Sequence, residues 1–265
     1  MRRGYVDSTW GQVHYRAAGE HGPLVVLFHE SPLSSKVFEE VLPLLAPHCR
    51  AVAFDTPGYG ASDPPPTNGF EIPDYADVLS GAIRALYADP DDLIVGGVHT
   101  GASIAVEVAR LHADQVRGAV LSGVALYTPD ERAEKLASWA PQPQVDLAGS
   151  QFDWAVERYN RIWPGLTPAM LQLAVVDVMS VVDRYNWGYN AAFRHDPAPA
   201  LAAITSPVLL LDAEFDLLAD KDAAALETAP AARLVSLPGL HGQPHLRAPE
   251  EYARHLVDFV EEVAR

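Results

Sequence analysis

Cysteine is almost missing from this chain: Cys49 is the only one in 265 residues, which excludes an intrachain disulfide and a cysteine-rich metal site. Basic residues are scarce. Nineteen Lys and Arg stand against 35 Asp and Glu, a formal charge of −16, and such a surface repels nucleic acid and anionic membranes. No apolar run approaches the length of a membrane span, and the two arginines after Met1 have no apolar stretch behind them, so neither an anchor nor a signal peptide is expected. Internal repeats and low-complexity tracts are absent as well. What is there is 49% hydrophobic residues, ample for one large α/β domain or two small ones. The expectation is a cytoplasmic protein whose partner is a small-molecule substrate, and nothing in the pattern sets an oligomeric state.

Strand and helix patterns alternate along most of the chain. Tyr5 to Thr9 and Gln12 to Arg16 alternate as an opening hairpin does, and "PLVVLFH", Pro23 to His29, is unbroken apolar, as a strand covered on both faces must be. There follow a helix over "SSKVFEEVLPLLA" capped by Ser34 or Ser35, a strand from Arg50 to Asp55, a helix from Asp74 to Ala88, a strand from Leu93 to Val98, a helix from Thr100 to His112 and a strand from Val116 to Gly123. Such alternation predicts a doubly wound, mostly parallel sheet. From Tyr127 to about Pro199 only helical patterns occur, "PDERAEKLASWA", "SQFDWAVERYNRIW" and "TPAMLQLAVVDVMSVVDRYNW". The alternation then resumes with "PVLLLDA", a helix from Asp220 to Thr228, the strand "ARLVSLPG" and an amphipathic helix from Pro249 to Val263.

The segment "LIVGGVHTGASIAVEVA" places a Gly-x-His-x-Gly pentapeptide, Gly97 to Gly101, between an apolar strand and a helix. A tight strand-to-helix turn strains its middle residue and tolerates only small residues two places either side, and Gly97 and Gly101 meet that demand for His99 alone. Ser103 has a similar small-residue setting but falls a full turn inside the helix, and Thr100 is flanked at two places by Val98.

With "HESPLSS" at His29 to Ser35, "FDTPGYGASDPP" at Phe54 to Pro65, "PVLLLDAEFDLL" at Pro207 to Leu218 and "LPGLHGQPHLRAPEEY" at Leu237 to Tyr252, the chain resembles the α/β-hydrolase superfamily over essentially its whole length. The branch it looks like is the lid-containing one of epoxide hydrolases, haloalkane dehalogenases and esterases. The resemblance implies an eight-stranded, mostly parallel sheet flanked by helices, with residues 1–126 and 200–265 as the core and 127–199 as a helical lid. It also implies roles. Asp216 matches the catalytic acid, and Asp212 and Glu214 stand close by in sequence. His241 matches the base, although counting back from Pro249 puts Gly242 in the usual slot and His245 is a rival. Ser31 and Thr100 would offer oxyanion N–H groups, and His29 would be a structural hydrogen-bonding residue. Glu30 departs from the pattern, since glycine usually stands there; a carboxylate aimed into the pocket would oppose an oxyanion.

The chief departure is His99, where the superfamily has a serine, cysteine or aspartate. Neutral imidazole can attack an activated acyl group without prior deprotonation, or hold a water as general base. The sequence therefore suggests a hydrolase of a small apolar ester, lactone or activated acyl compound, using His99, His241 and Asp216. Two other readings remain open: a lyase, isomerase or cyclase working by histidine proton transfer, and a noncatalytic ligand-binding relative, because fold alone does not choose among them. No cofactor is expected. Convergence of His29, His99, His241 and Asp216 on one pocket would offer ligands that suit zinc, but their spacing matches no zinc motif, and no metal is expected.

Overall fold

The computed structural model describes every residue except Asp89, Asp91 and Arg265. Its sheet begins with the hairpin β1 (Arg2–Ser8) and β2 (Gly11–Ala18), followed by β3 (Leu24–Phe28). After a 3-10 turn at Ser35–Phe38 come α1 (Val41–Leu45), β4 (Arg50–Phe54), α2 (Ile72–Tyr87), β5 (Leu93–Val98), α3 (Thr100–Leu111) and β6 (Val116–Ser122). Five helices follow in a row: α4 (Pro129–Ser138), α5 (Ser150–Ile162), α6 (Pro168–Ser180), α7 (Trp187–Arg194) and α8 (Ala198–Ala202). The chain closes with β7 (Val208–Ala213), α9 (Asp222–Thr228), β8 (Ala232–Leu237), α10 (Pro244–Arg247) and α11 (Pro249–Val263). None of the described helices is long and apolar enough to cross a membrane.

The eight strands lie in the order β1-β2-β4-β3-β5-β6-β7-β8, with only the β1–β2 and β2–β4 pairs antiparallel. Both faces are covered. In β3, Leu24, Val26 and Phe28 enter the core on one face while Val25 and Leu27 enter that on the other, the period of two that a strand imposes. This explains why β3 reads as an unbroken apolar run rather than an alternation.

Two expected helices are broken. The stretch from Ser34 to Ala46 splits into the 3-10 turn and α1 because Pro43 has no N–H to bond the Glu39 carbonyl and continue a helical ladder. The stretch from Thr167 to Trp187 stops at Ser180, and the chain turns over the loop that follows β4. There Arg184 Nε donates to the Gly58 carbonyl at 2.8 Å and the Gly188 N–H donates to the Tyr59 hydroxyl at 2.6 Å. Helices α7, α8 and α10 fall outside the patterns read from the sequence.

Candidate active site

β5 runs into α3 through His99, whose backbone stands at φ 50° and ψ −110°. A non-glycine residue there is strained and persists only where its surroundings enforce it. Enforcement is visible on both sides. The His99 N–H donates to the Ser122 carbonyl at 2.8 Å, and its carbonyl accepts from Ala102 N at 2.9 Å. A Cβ added at Gly97 would lie 2.1 Å from the Gly101 carbonyl oxygen, and one at Gly101 would lie 2.1 Å from the Phe28 carbonyl oxygen. The two glycines are thus required by backbone approach.

The imidazole reaches Asp216, on the loop after β7. Its Nε2 is 3.0 Å from both carboxylate oxygens, and Asp216 Oδ1 also accepts from Leu218 N at 2.8 Å. Burial alone would lower the His99 pKa, but the charge and hydrogen bond of Asp216, with smaller help from Glu30 and Asp212, raise it to about 9. Burial would likewise raise Asp216, and the His99 charge and hydrogen bond outweigh it and hold the carboxyl below its ordinary value. At neutral pH the two form an imidazolium–carboxylate pair. Nδ1, the other ring nitrogen, has no partner among the described residues and is not sealed in the protein. Asp212 is a different kind of acid: burial, then Asp222 and Asp216, push its pKa well up, so it favours the neutral form. Glu214 is a loop staple that accepts from Gly239 N at 2.8 Å.

The expected His241–Asp216 contact does not form. His241 is exposed and stacks on Phe215, with ring centroids 5.0 Å apart. The Phe215 N–H donates to the Leu240 carbonyl at 2.9 Å, and two residues past Leu240 it is Gly242 that faces the acid. A Cβ at Gly242 would stand 3.0 Å from Asp216 Oδ2. The slot suggested by counting back from Pro249 is therefore real, but it is empty of side chain, and the imidazole beside Asp216 comes from the elbow.

His245, the rival, lies fully buried on α10 with Nε2 3.4 Å from Glu30 Oε1. Glu30 points inward. Burial would raise its pKa, yet His245, with a further contribution from His99, leaves it lowered. Sequence reasoning missed this pair; the exchange of glycine for Glu30 and the buried turn of α10 were its only signals. His29 is fully used, because its Nε2 accepts from Thr56 N at 2.9 Å and its Nδ1 therefore carries the proton donated to the Glu30 carbonyl at 2.9 Å. Thr100, the first residue of α3, has no helical partner for its N–H. Ser31 is buried, and its Oγ lies where a Cβ on Gly188 would come within 2.2 Å. Ser103 is fully buried inside α3. Among the described residues no three side chains are grouped to hold a metal ion.

A cavity of about 90 Å³ opens on His99 and Thr100, walled by Trp139 behind α4, by Tyr189 and Phe193 of α7, and by Leu218. A larger cleft, about 560 Å³, runs past Lys36, Thr167, Met170 and His245 and touches neither His99 nor Asp216. Of the two, only the smaller is lined by His99.

Comparison with known proteins agrees with this architecture. The family model described as alpha/beta hydrolase fold matches residues 23–241. The chain is 28% identical over 254 residues to 2-(acetamidomethylene)succinate hydrolase of Mesorhizobium japonicum, covering 91% of this chain and 88% of that protein. It is 27% identical over 266 residues to pimeloyl-[acyl-carrier protein] methyl ester esterase of Yersinia enterocolitica, covering 95% and 98%. Among solved structures, the enol-lactonase from Burkholderia xenovorans LB400 superposes with a TM-score of 0.80 at 21% identity, over 97% of this chain and 100% of that one.

Proposed function

This chain belongs to the α/β-hydrolase family of enzymes, and on that premise we propose that it hydrolyses a small ester, lactone or activated acyl compound of apolar body, with His99 and Asp216 in place of the family's nucleophile and base. The proposed lid is the helical stretch 127–199, which would cover the reacting bond. One observation carries the reading: His99 is held through Nε2 by Asp216 at 3.0 Å while Nδ1 is left for the cavity.

In this mechanism Nδ1 of the neutral ring takes a proton from water as the water oxygen attacks the acyl carbon, and Asp216 stabilises the imidazolium that forms. The Thr100 and Ser31 N–H groups would hold the oxyanion, with the positive end of α3 behind the first. Glu30 Oε1 is turned towards His245, 3.4 Å from its Nε2. The leaving oxygen then recovers the proton from Nδ1. Because His99 is raised to about 9, only a small fraction of the enzyme carries the neutral ring at pH 7, and kcat/KM should climb with pH until about 9.

The same raised pKa favours a second reading, in which the imidazolium is the resting acid of a lyase, isomerase or cyclase that protonates its substrate. The two are separated by running the reaction in ¹⁸O-labelled water across pH 6 to 10. Hydrolysis predicts label in the acid product and a rate that rises towards pH 9. Unlabelled product with a rate that falls through pH 9 selects proton transfer instead.

A further inference from the structure

The helical layer over the cavity contains a buried cation with no acid beside it. Arg158, on α5, is 2% exposed. Its Nη1 donates to the Trp139 carbonyl at 3.0 Å, and against the effect of burial the neighbouring Tyr189 and Tyr185 hydroxyls keep its pKa up. Four aromatic rings surround it: Trp139, Trp154, Tyr185 and Tyr189, with centroids 5.6, 5.9, 5.7 and 5.6 Å from Cζ. Nε and Nη2 are buried and donate to nothing. Those two N–H bonds run side by side, the arrangement that a carboxylate matches with its two oxygens. Ring faces offset part of the cost of burying the cation, but an unpaired guanidinium edge away from water is costly until an anion meets it.

Two of the four rings, Trp139 and Tyr189, also wall the cavity that holds His99. Lys135 lies on that cavity too, with Nζ 4.7 Å from the Trp139 ring, and no Asp or Glu lines it. Lys135 on the cavity wall and Arg158 behind the Trp139 and Tyr189 rings make a positive patch in a chain of net charge −16, a local field that favours an anion.

We infer that Arg158 anchors a carboxylate carried by the substrate at the end remote from the bond that breaks, and that Lys135 draws the anion in. The carboxylate would reach Nε and Nη2 between the Trp139 and Tyr189 rings. This inference rests on the proposed hydrolysis only for where the scissile bond lies, and it deepens that reading by naming the substrate class: short half-esters of dicarboxylic acids and related carboxylated acyl compounds.

The probes are the monomethyl esters of succinic, glutaric and adipic acids, each beside its uncharged dimethyl ester. Turnover is measured for the wild type, Arg158→Met and Arg158→Lys, and binding to His99→Ala by calorimetry. At least one monoester should be preferred over its diester tenfold or more in kcat/KM, and Arg158→Met should bring that ratio to about one. Arg158→Lys keeps the charge but not the paired edge, and should leave an intermediate preference even if Arg158→Met does not fold. Equal losses on both esters, an unchanged preference in the Lys variant, or no monoester binding at any length overturns the inference. Monoester binding to His99→Ala that depends on Arg158, without wild-type turnover, leaves the anchor standing and removes hydrolysis. Diester hydrolysis with no preference for the monoester does the reverse.

Discussion

His99 carries its imidazole on the turn itself, so the acid meets the ring with no serine between them. His99→Ala should lower turnover by a factor of ~10² or more, the scale of a lost acid–base group, while circular dichroism stays native because alanine relieves no hydrogen bond of the fold except that to Asp216. His99→Ser should give no serine esterase. The base that a serine needs is missing, since Gly242 and not His241 faces Asp216, and a burst of acyl-enzyme with an activated ester would contradict this. Linkage gives a third expectation. His99 is raised from 6.5 to about 9, so its pairing contributes stability in full below pH 6.5 and loses it as pH rises through about 9. Asp216 is lowered from 3.8, so its share is present above pH 3.8 and fades in stronger acid. Melting temperatures should fall on both flanks, and Asp216→Asn should flatten both slopes. The elbow position of His99 was legible because Gly97 and Gly101 obey a backbone constraint. The partner of Asp216 was not, because one residue of loop register separates His241 from Gly242 and only the folded turn sets that register.

Elements meet most closely where α3 crosses β3. Gly101→Ala would drive a methyl group to 2.1 Å from the Phe28 carbonyl oxygen, a clash with backbone that neither element can relieve by a rotamer change. It should cost about 3 kcal/mol or more in denaturant unfolding. Gly81→Ala is the contrast: it lies within α2 with open space around an added Cβ, and should stabilise by about 0.5–1 kcal/mol. Elements with one strong local signal were readable, as β5 and α11 show by matching their expected ends. Those ended by tertiary contacts were not. Nothing local stops the apolar pattern after Ser180, and the turn there answers to Gly58 and Tyr59, more than a hundred residues earlier.

Across the whole molecule, the Tyr59 hydroxyl joins the inserted helices to the sheet, accepting from Gly188 N at 2.6 Å and donating to the Tyr185 carbonyl at 3.3 Å. Tyr59→Phe would leave those buried backbone groups unpaired at a cost of about 1–3 kcal/mol. Hydrogen exchange over residues 185–194 should quicken while β3 and β5 amides stay protected, and KM should rise more than kcat, because α7 supplies Tyr189 and Phe193 to the cavity. With His99 fastened to the turn between β5 and α3, its ring meets Asp216 without an imidazole from the loop 238–243. His241 is exposed there, while Gly239 stands at φ 75° and gives its N–H to Glu214. Position 241 can therefore change its side chain without moving the His99–Asp216 contact, whereas Gly239 and Gly242 hold the backbone course of the loop.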